Sequence, residues 1–155
     1  MTKPDKPVFP KTDSRLLGRW EKDGERTLKE FHWNKGKKPI KKRKAIFRSL
    51  WKNSTVTYSR TKVTYTNDQF EIGQSYTVIG VDDTSVAIVT FGKPRTACPN
   101  NCAQKIWGKM MDQFAKPKIQ HLHFEKDSIW IFWGRNREFY RRVPTHQRKK
   151  KDLIS

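Results

Sequence analysis

Cysteine is nearly absent from this sequence: the two present, Cys98 and Cys102, are separated by three residues. So few cysteines rule out a disulfide-stapled miniature fold. The Cys-x3-Cys spacing also differs from the Cys-x2-Cys of thioredoxin-like redox centres and of most zinc sites. No apolar run approaches the ~20 residues that a membrane-crossing helix needs. Residues 1–14 lack the apolar stretch of a secretory signal. The expected location is cytoplasmic if the chain is full length, and secreted or periplasmic if a leader has been removed. Carboxylates are scarce, with 15 Asp and Glu against 34 Lys and Arg. There is no Gly-x-Ser-x-Gly, no Walker loop and no His-Glu-x-x-His. Neither an enzyme nor a bound cofactor is expected.

What is abundant is positive charge and aromatic surface. The formal charge is +19 and the isoelectric point near 10.2. That balance favours anionic partners such as nucleic acid, phospholipid headgroups or acidic polymers, and says nothing about fold. Only 34 % of the residues are hydrophobic, but six Trp, nine Phe and four Tyr bury much area per residue and can close a core. At 155 residues the chain has the length of one domain. Prolines 4, 7 and 10 mark residues 1–14 as a flexible arm. Residues 15–144 form the domain, and 145–155 a basic, flexible tail.

Residues 16–21 read as a first strand. Two helical patches follow, at 27–33 with Leu28, Phe31 and His32 on one face, and at 44–52 with Ile46, Phe47, Leu50 and Trp51. Residues 34–44 between them carry Gly36, Pro39 and crowded like charge, as in a solvated loop or the frayed start of a helix. From Ser54 the period becomes two. Strands are expected at 55–60, 62–66, 75–81, 85–91, 119–125, 128–133 and 137–143, with turns at 67–68, 82–84, 126–127 and 134–136. Between the fifth and sixth, Ala103, Ile106, Trp107, Met110, Met111 and Phe114 make a continuous helical apolar face. About eight short antiparallel strands hide their edges by closing on themselves. The expectation is a mainly-β, up-and-down antiparallel barrel with helical insertions after strands 1 and 5.

Gly18-Arg19-Trp20 in the first strand, with Arg141 and Arg142 in the last, resembles the lipocalin pattern. The closing Arg-Arg-Val and the mid-chain Tyr76-Thr77-Val78 are similar to small bacterial lipocalin-like domains of unassigned function. The resemblance spans residues 16–143. It implies that the Trp20 indole packs at the closed end of a barrel and that an arginine of the last strand lies across it. The chain departs from the family in its basic helical insertion after the first strand, its helix between the fifth and sixth strands, and its lack of a C-terminal helix.

Several constellations could carry chemistry. Lys35, Lys37, Lys38, Lys41, Lys42, Arg43 and Lys44 lie between Trp33 and Trp51, the combination of charge for phosphates and rings for bases that grips single-stranded nucleic acid. The competing reading is a solvated loop whose tryptophans face the core. His121 and His123 point to one side of a strand and, with Cys98 and Cys102, would make a Cys2His2 set suited to zinc. The competing reading is a local disulfide or free thiols with histidines in water, and no metal is expected. Tyr58, Tyr65, Tyr76, Val78, Ile88 and Trp130 are candidates to line a barrel interior, or else simply pack together. The expectation is a non-catalytic binding domain for a small amphipathic or anionic ligand, in the barrel or at its mouth. The alternative is electrostatic binding of nucleic acid or another polyanion through residues 35–44. The sequence leaves the oligomeric state open.

Overall fold

A computed structural model describes residues 12–68, 70–97, 112 and 115–144. Eight antiparallel strands, each paired with its neighbours in chain order, close into a barrel. They are β1 (Gly18–Lys22), β2 (Thr55–Tyr58), β3 (Lys62–Thr66), β4 (Glu71–Val81), β5 (Ser85–Ala97), β6 (Lys118–Glu125), β7 (Ser128–Trp133) and β8 (Asn136–Arg142). Two helices, α1 (Gly24–Lys29) and α2 (Ile40–Trp51), join β1 to β2. Closure comes from β1, which pairs with β2 from Gly18↔Tyr58 to Glu21↔Thr55 and with β8 from Trp20↔Arg142 to Lys22↔Tyr140.

One end of the barrel is plugged. Trp20 is 1 % exposed and packs in a core cluster with Leu16, Val56, Tyr58, Tyr76 and Val78. Its indole Nε1 donates to the Leu16 carbonyl at 2.9 Å. The Arg142 guanidinium lies 4.1 Å above the indole and donates to the carbonyls of Leu17 and Arg15. A cation over the ring face and two satisfied carbonyls hold the chain across the barrel's base. Gly18 has φ 118°, a conformation side chains rarely adopt, which explains the glycine two residues before the tryptophan. The arginine pair divides by strand alternation: Arg141, expected beside Trp20, faces outward and pairs with Glu21 at 3.3 Å. Asp13, expected in the flexible arm, is buried, and its carboxylate accepts from Arg15, which lowers its pKa below the usual range.

The sheet is longer than its sequence suggests. β4 begins at Glu71 instead of Ser75, and β5 runs to Ala97 past Gly92 and Pro94. Gly92 has φ 83°, which lets the strand bend without stopping. α1 starts earlier than expected because the Asp23 side chain accepts from the Arg26 amide at 3.2 Å, and it ends at Lys29, leaving residues 30–34 non-helical. α2 begins at Ile40, just after Pro39, so Lys41, Lys42, Arg43 and Lys44 are helical and not in a loop. The helix expected over 103–114 falls outside the described residues, apart from Asp112.

The closed end generates a contrast between neighbours. Arg142→Met is expected to cost about 2–3 kcal/mol of unfolding free energy, through the lost ring contact and two uncapped carbonyls. Arg141→Met should cost less than about 0.5 kcal/mol, as befits an exposed pair. Urea denaturation of both variants reads this directly, and equal losses would contradict the arrangement.

Candidate ligand-binding cavity

β6 is paired with β5 as far as Lys118, and β7 with β8 as far as Trp133. With each other, β6 and β7 pair only from His123↔Trp130 to Glu125↔Ser128. Above that the two strands part, and the gap leads into a cavity of about 830 Å³. Val56, Ile72, Leu122, Ile129 and Ile131 supply apolar wall, while Lys118, Ile119, His121, His123 and Phe132 stand at the gap. This is the size and character of a small-molecule site: mostly apolar, with a few polar groups.

A linked set of polar groups sits on the inward positions of β1 and β8. Because Arg142 faces Trp20, alternation turns Tyr140 and Glu138 inward too. Lys22 is buried, and its ammonium bonds Glu138 Oε1. The Tyr140 hydroxyl donates to the same oxygen at 3.1 Å. The ammonium also lies 4.3 Å from the Trp51 ring and 5.0 Å from that of Tyr140. Burial pushes the Lys22 amine below the ordinary lysine value, against the upward pull of Glu138. Two charges removed from water are tolerable only when paired and hydrogen-bonded in this way. Glu138 Oε2 and the Tyr58 hydroxyl make no hydrogen bond among the described residues, and both residues line the cavity. Gln120 donates to the Tyr65 hydroxyl at a long 3.5 Å. The cavity thus offers an acceptor and a donor to a guest.

Over this ion pair lies an aromatic cluster. Phe31 and Trp33 are 4.5 Å apart, Phe47 and Trp51 5.0 Å, and Trp133 meets Phe31, Phe47 and Trp51 at 6.0–6.4 Å. The cluster fixes α2 at the open end of the barrel.

Of the interior candidates, Tyr58 and Tyr65 line the cavity. Tyr76, Val78 and Ile88 pack in the core cluster and do not line it. The Tyr76 hydroxyl donates to the Ser59 carbonyl at 2.5 Å. Trp130 does not face the interior. Its neighbours Ile129 and Ile131 do, so alternation puts it on the outer face, stacked on His123 with ring centroids 3.9 Å apart. His121 and His123 share that outer face, 4.3 Å apart, and His121 Nε2 lies 2.7 Å from Ser85 Oγ. Cys98 and Cys102 fall outside the described residues. Among the described residues no three His, Cys, Asp or Glu side chains gather as a metal site. In the basic segment Lys37, Lys38, Lys41 and Lys42 are exposed and Lys44 is half-buried. Arg43 is not a free cation contact: it turns back over Trp33 and donates to the Asn34 carbonyl at 2.7 Å.

Lys22, Gln120, Glu138 and Tyr140 were not singled out from the sequence. The signal was available: once an arginine of the last strand is set against Trp20, the residues two and four before it share its face.

Burial raises the pKa of all four tyrosines, well above the ordinary value for Tyr58 and Tyr140, with the Glu138 charge adding to the rise at Tyr58, Tyr65 and Tyr140. Their contribution to stability is fully present below about pH 10, where unfolded tyrosine ionises, and is lost as pH rises through the folded values. In an alkaline titration, tyrosinate absorbance should stay near zero until it appears together with the loss of β-structure circular dichroism. Smooth ionisation near pH 10 in the folded protein would contradict this burial.

Compared with protein-family models, curated proteins and solved structures, the chain matches none.

Proposed function

We propose that this protein is a non-catalytic carrier or sensor that holds a small amphipathic molecule inside its barrel. The observation that supports the reading best is the parted β6–β7 seam, which leaves a cavity of about 830 Å³ within an otherwise closed sheet. The apolar body of the guest would lie against Ile72, Leu122, Ile129 and Ile131. A hydroxyl or amide at its polar end would accept from Tyr58 and donate to Glu138. The partly buried Glu138 carboxylate disfavours an anionic group at that depth. An anionic group would instead sit at the mouth, near Lys118.

A second reading is electrostatic attachment to a polyanion through residues 35–44. It draws on Lys37, Lys38, Lys41 and Lys42, which are exposed and make no ion pair among the described residues. The two readings differ in their response to salt, since polyanion binding weakens steeply with ionic strength and apolar burial does not.

The test is titration with a fluorescent alkyl probe bearing a neutral polar end, at low and high salt. The natural chain should bind it with little dependence on salt. Leu122→Trp, which fills the cavity, should weaken binding by roughly tenfold or more, the value of a lost apolar contact surface. Lys41→Gln with Lys42→Gln should leave probe binding unchanged. Probe binding that survives Leu122→Trp but vanishes with salt would defeat the cavity reading.

A further inference from the structure

The open end of the barrel gathers exposed apolar side chains and unpaired cations from three separate parts of the chain. At the mouth, Ile119 is 70 % exposed, Phe132 61 % and Trp133 48 %. On α2, Leu50 is 58 % exposed and Ile46 43 %, one helical turn apart. α2 has no buried residue, although Phe47 and Trp51 moor it to Trp133. A helix that spends only part of its apolar surface on its own protein leaves the rest for something else.

The charges around these side chains are equally one-sided. Lys37, Lys38, Lys41, Lys42 and Lys118 are exposed and form no ion pair among the described residues. The nearby carboxylates Glu25, Glu30 and Glu138 are each already paired, with Arg48, Arg137 and Lys22. Asp68 and Glu71, on the β3–β4 side, and Asp112, between β5 and β6, are exposed acids of this end outside those pairs. The opposite end is mixed, with Asp82, Asp83 and Asp127 in its turns. The exposed apolar pair Ile79 and Val81 adjoins those Asp82 and Asp83 carboxylates, and the cations of that end, Arg15, Lys62 and Lys126, are interspersed with these acids.

Nucleic acid would explain the cations but not the aliphatic side chains. Base stacking needs free ring faces. Trp33 and Trp51, the rings nearest the lysines, are committed to Phe31, Phe47 and the Lys22 ammonium. What protrudes on α2 and at the start of β6 is aliphatic: Ile46, Leu50 and Ile119. Aliphatic and aromatic protrusions ringed by lysine are the chemistry of an anionic bilayer surface, where side chains enter the headgroup layer and ammonium groups meet lipid phosphates.

We infer that the open end docks on an anionic lipid bilayer, with Leu50, Ile119 and Phe132 entering the headgroup layer and Lys37, Lys38, Lys41 and Lys42 against its phosphates. Docking stands on the surface alone; only the corollary, that the bilayer is where the cavity's guest enters and leaves, rests on the proposed function. In that pose the β6–β7 gap opens toward the lipid.

The experiment is co-sedimentation of the full chain with vesicles of phosphatidylcholine alone and of phosphatidylcholine mixed with phosphatidylglycerol. The protein should partition onto the mixed vesicles and much less onto the neutral ones, and added salt should weaken it. Lys41→Gln with Lys42→Gln should lower partition roughly tenfold or more, given the usual contribution of each basic residue near an anionic surface. Leu50→Glu with Phe132→Ser should lower it by a similar factor, roughly tenfold. All four positions are exposed, and circular dichroism checks that the fold persists. Equal partition onto both vesicle types, indifference to both double variants, or retention by single-stranded DNA with none by mixed vesicles would overturn the inference. Leu122→Trp separates the two proposals. It should weaken uptake of the soluble probe by the same roughly tenfold factor yet leave vesicle binding intact, so either proposal can fail while the other stands.

Discussion

A sheet edge left unpaired is the problem that this fold must solve, and β1 solves it by being hydrogen-bonded on both sides. Five residues, Gly18–Lys22, meet β2 on one flank and β8 on the other. Such a short strand cannot hold closure through its ladder alone. Trp20 at its centre adds a large buried ring, and Arg142 ties that ring, the last strand and the incoming chain at Leu17 and Arg15 into one knot. Everything above depends on this knot, because it fixes which face of β8 looks inward. That face also carries Tyr140 and Glu138 toward Lys22.

The two ends of the barrel follow different rules. At the closed end bulky side chains meet across the axis and leave no room for a guest. Toward the open end the inward positions become polar or smaller, and β6 and β7 separate. A Lys–Glu pair with a buried lysine and a half-buried glutamate is a poor way to gain stability compared with apolar packing. Glu138 stands in the wall of the cavity near the Tyr58 hydroxyl, which makes no hydrogen bond among the described residues, and this placement is what the proposed ligand role draws on. An asymmetry appears outside too, where the open end carries the largest exposed apolar side chains beside a run of lysines that form no ion pair among the described residues. Cavity, mouth and surface therefore point the same way along the barrel axis.

Much of this was legible in the sequence. Period-two runs after Ser54 located the strands, their number implied closure, and Gly18-x-Trp20 with the last-strand arginines anticipated the closed end. The misplacements have physical reasons. β4 starts earlier than its sequence suggests because Glu71, Gly73 and Gln74 look like loop residues, although Ile72 and Gln74 are buried. β5 was cut short because Gly92 and Pro94 read as breakers, although one bends the strand and the other is buried. Trp130 lies outside against expectation because both faces of β7 are apolar, and alternation alone does not say which of Ile129 or Trp130 is in. Arg43 reads as a free cation in the sequence, which does not show an arginine folding back on Trp33. Lys22 and Glu138 were passed over because a charge in a strand is normally read as solvent-facing. Only their mutual neutralisation across β1 and β8 makes the inward position tolerable.

The central claim is that the barrel is hollow beside its buried ion pair and is entered between β6 and β7. Its most direct test is to map intermolecular nuclear Overhauser effects from a bound alkyl probe to assigned methyl groups. The account predicts contacts to Ile72, Leu122, Ile129 and Ile131, which line the cavity. Contacts confined to Ile46 and Leu50 on the outside of α2, or none to any interior methyl, would contradict it.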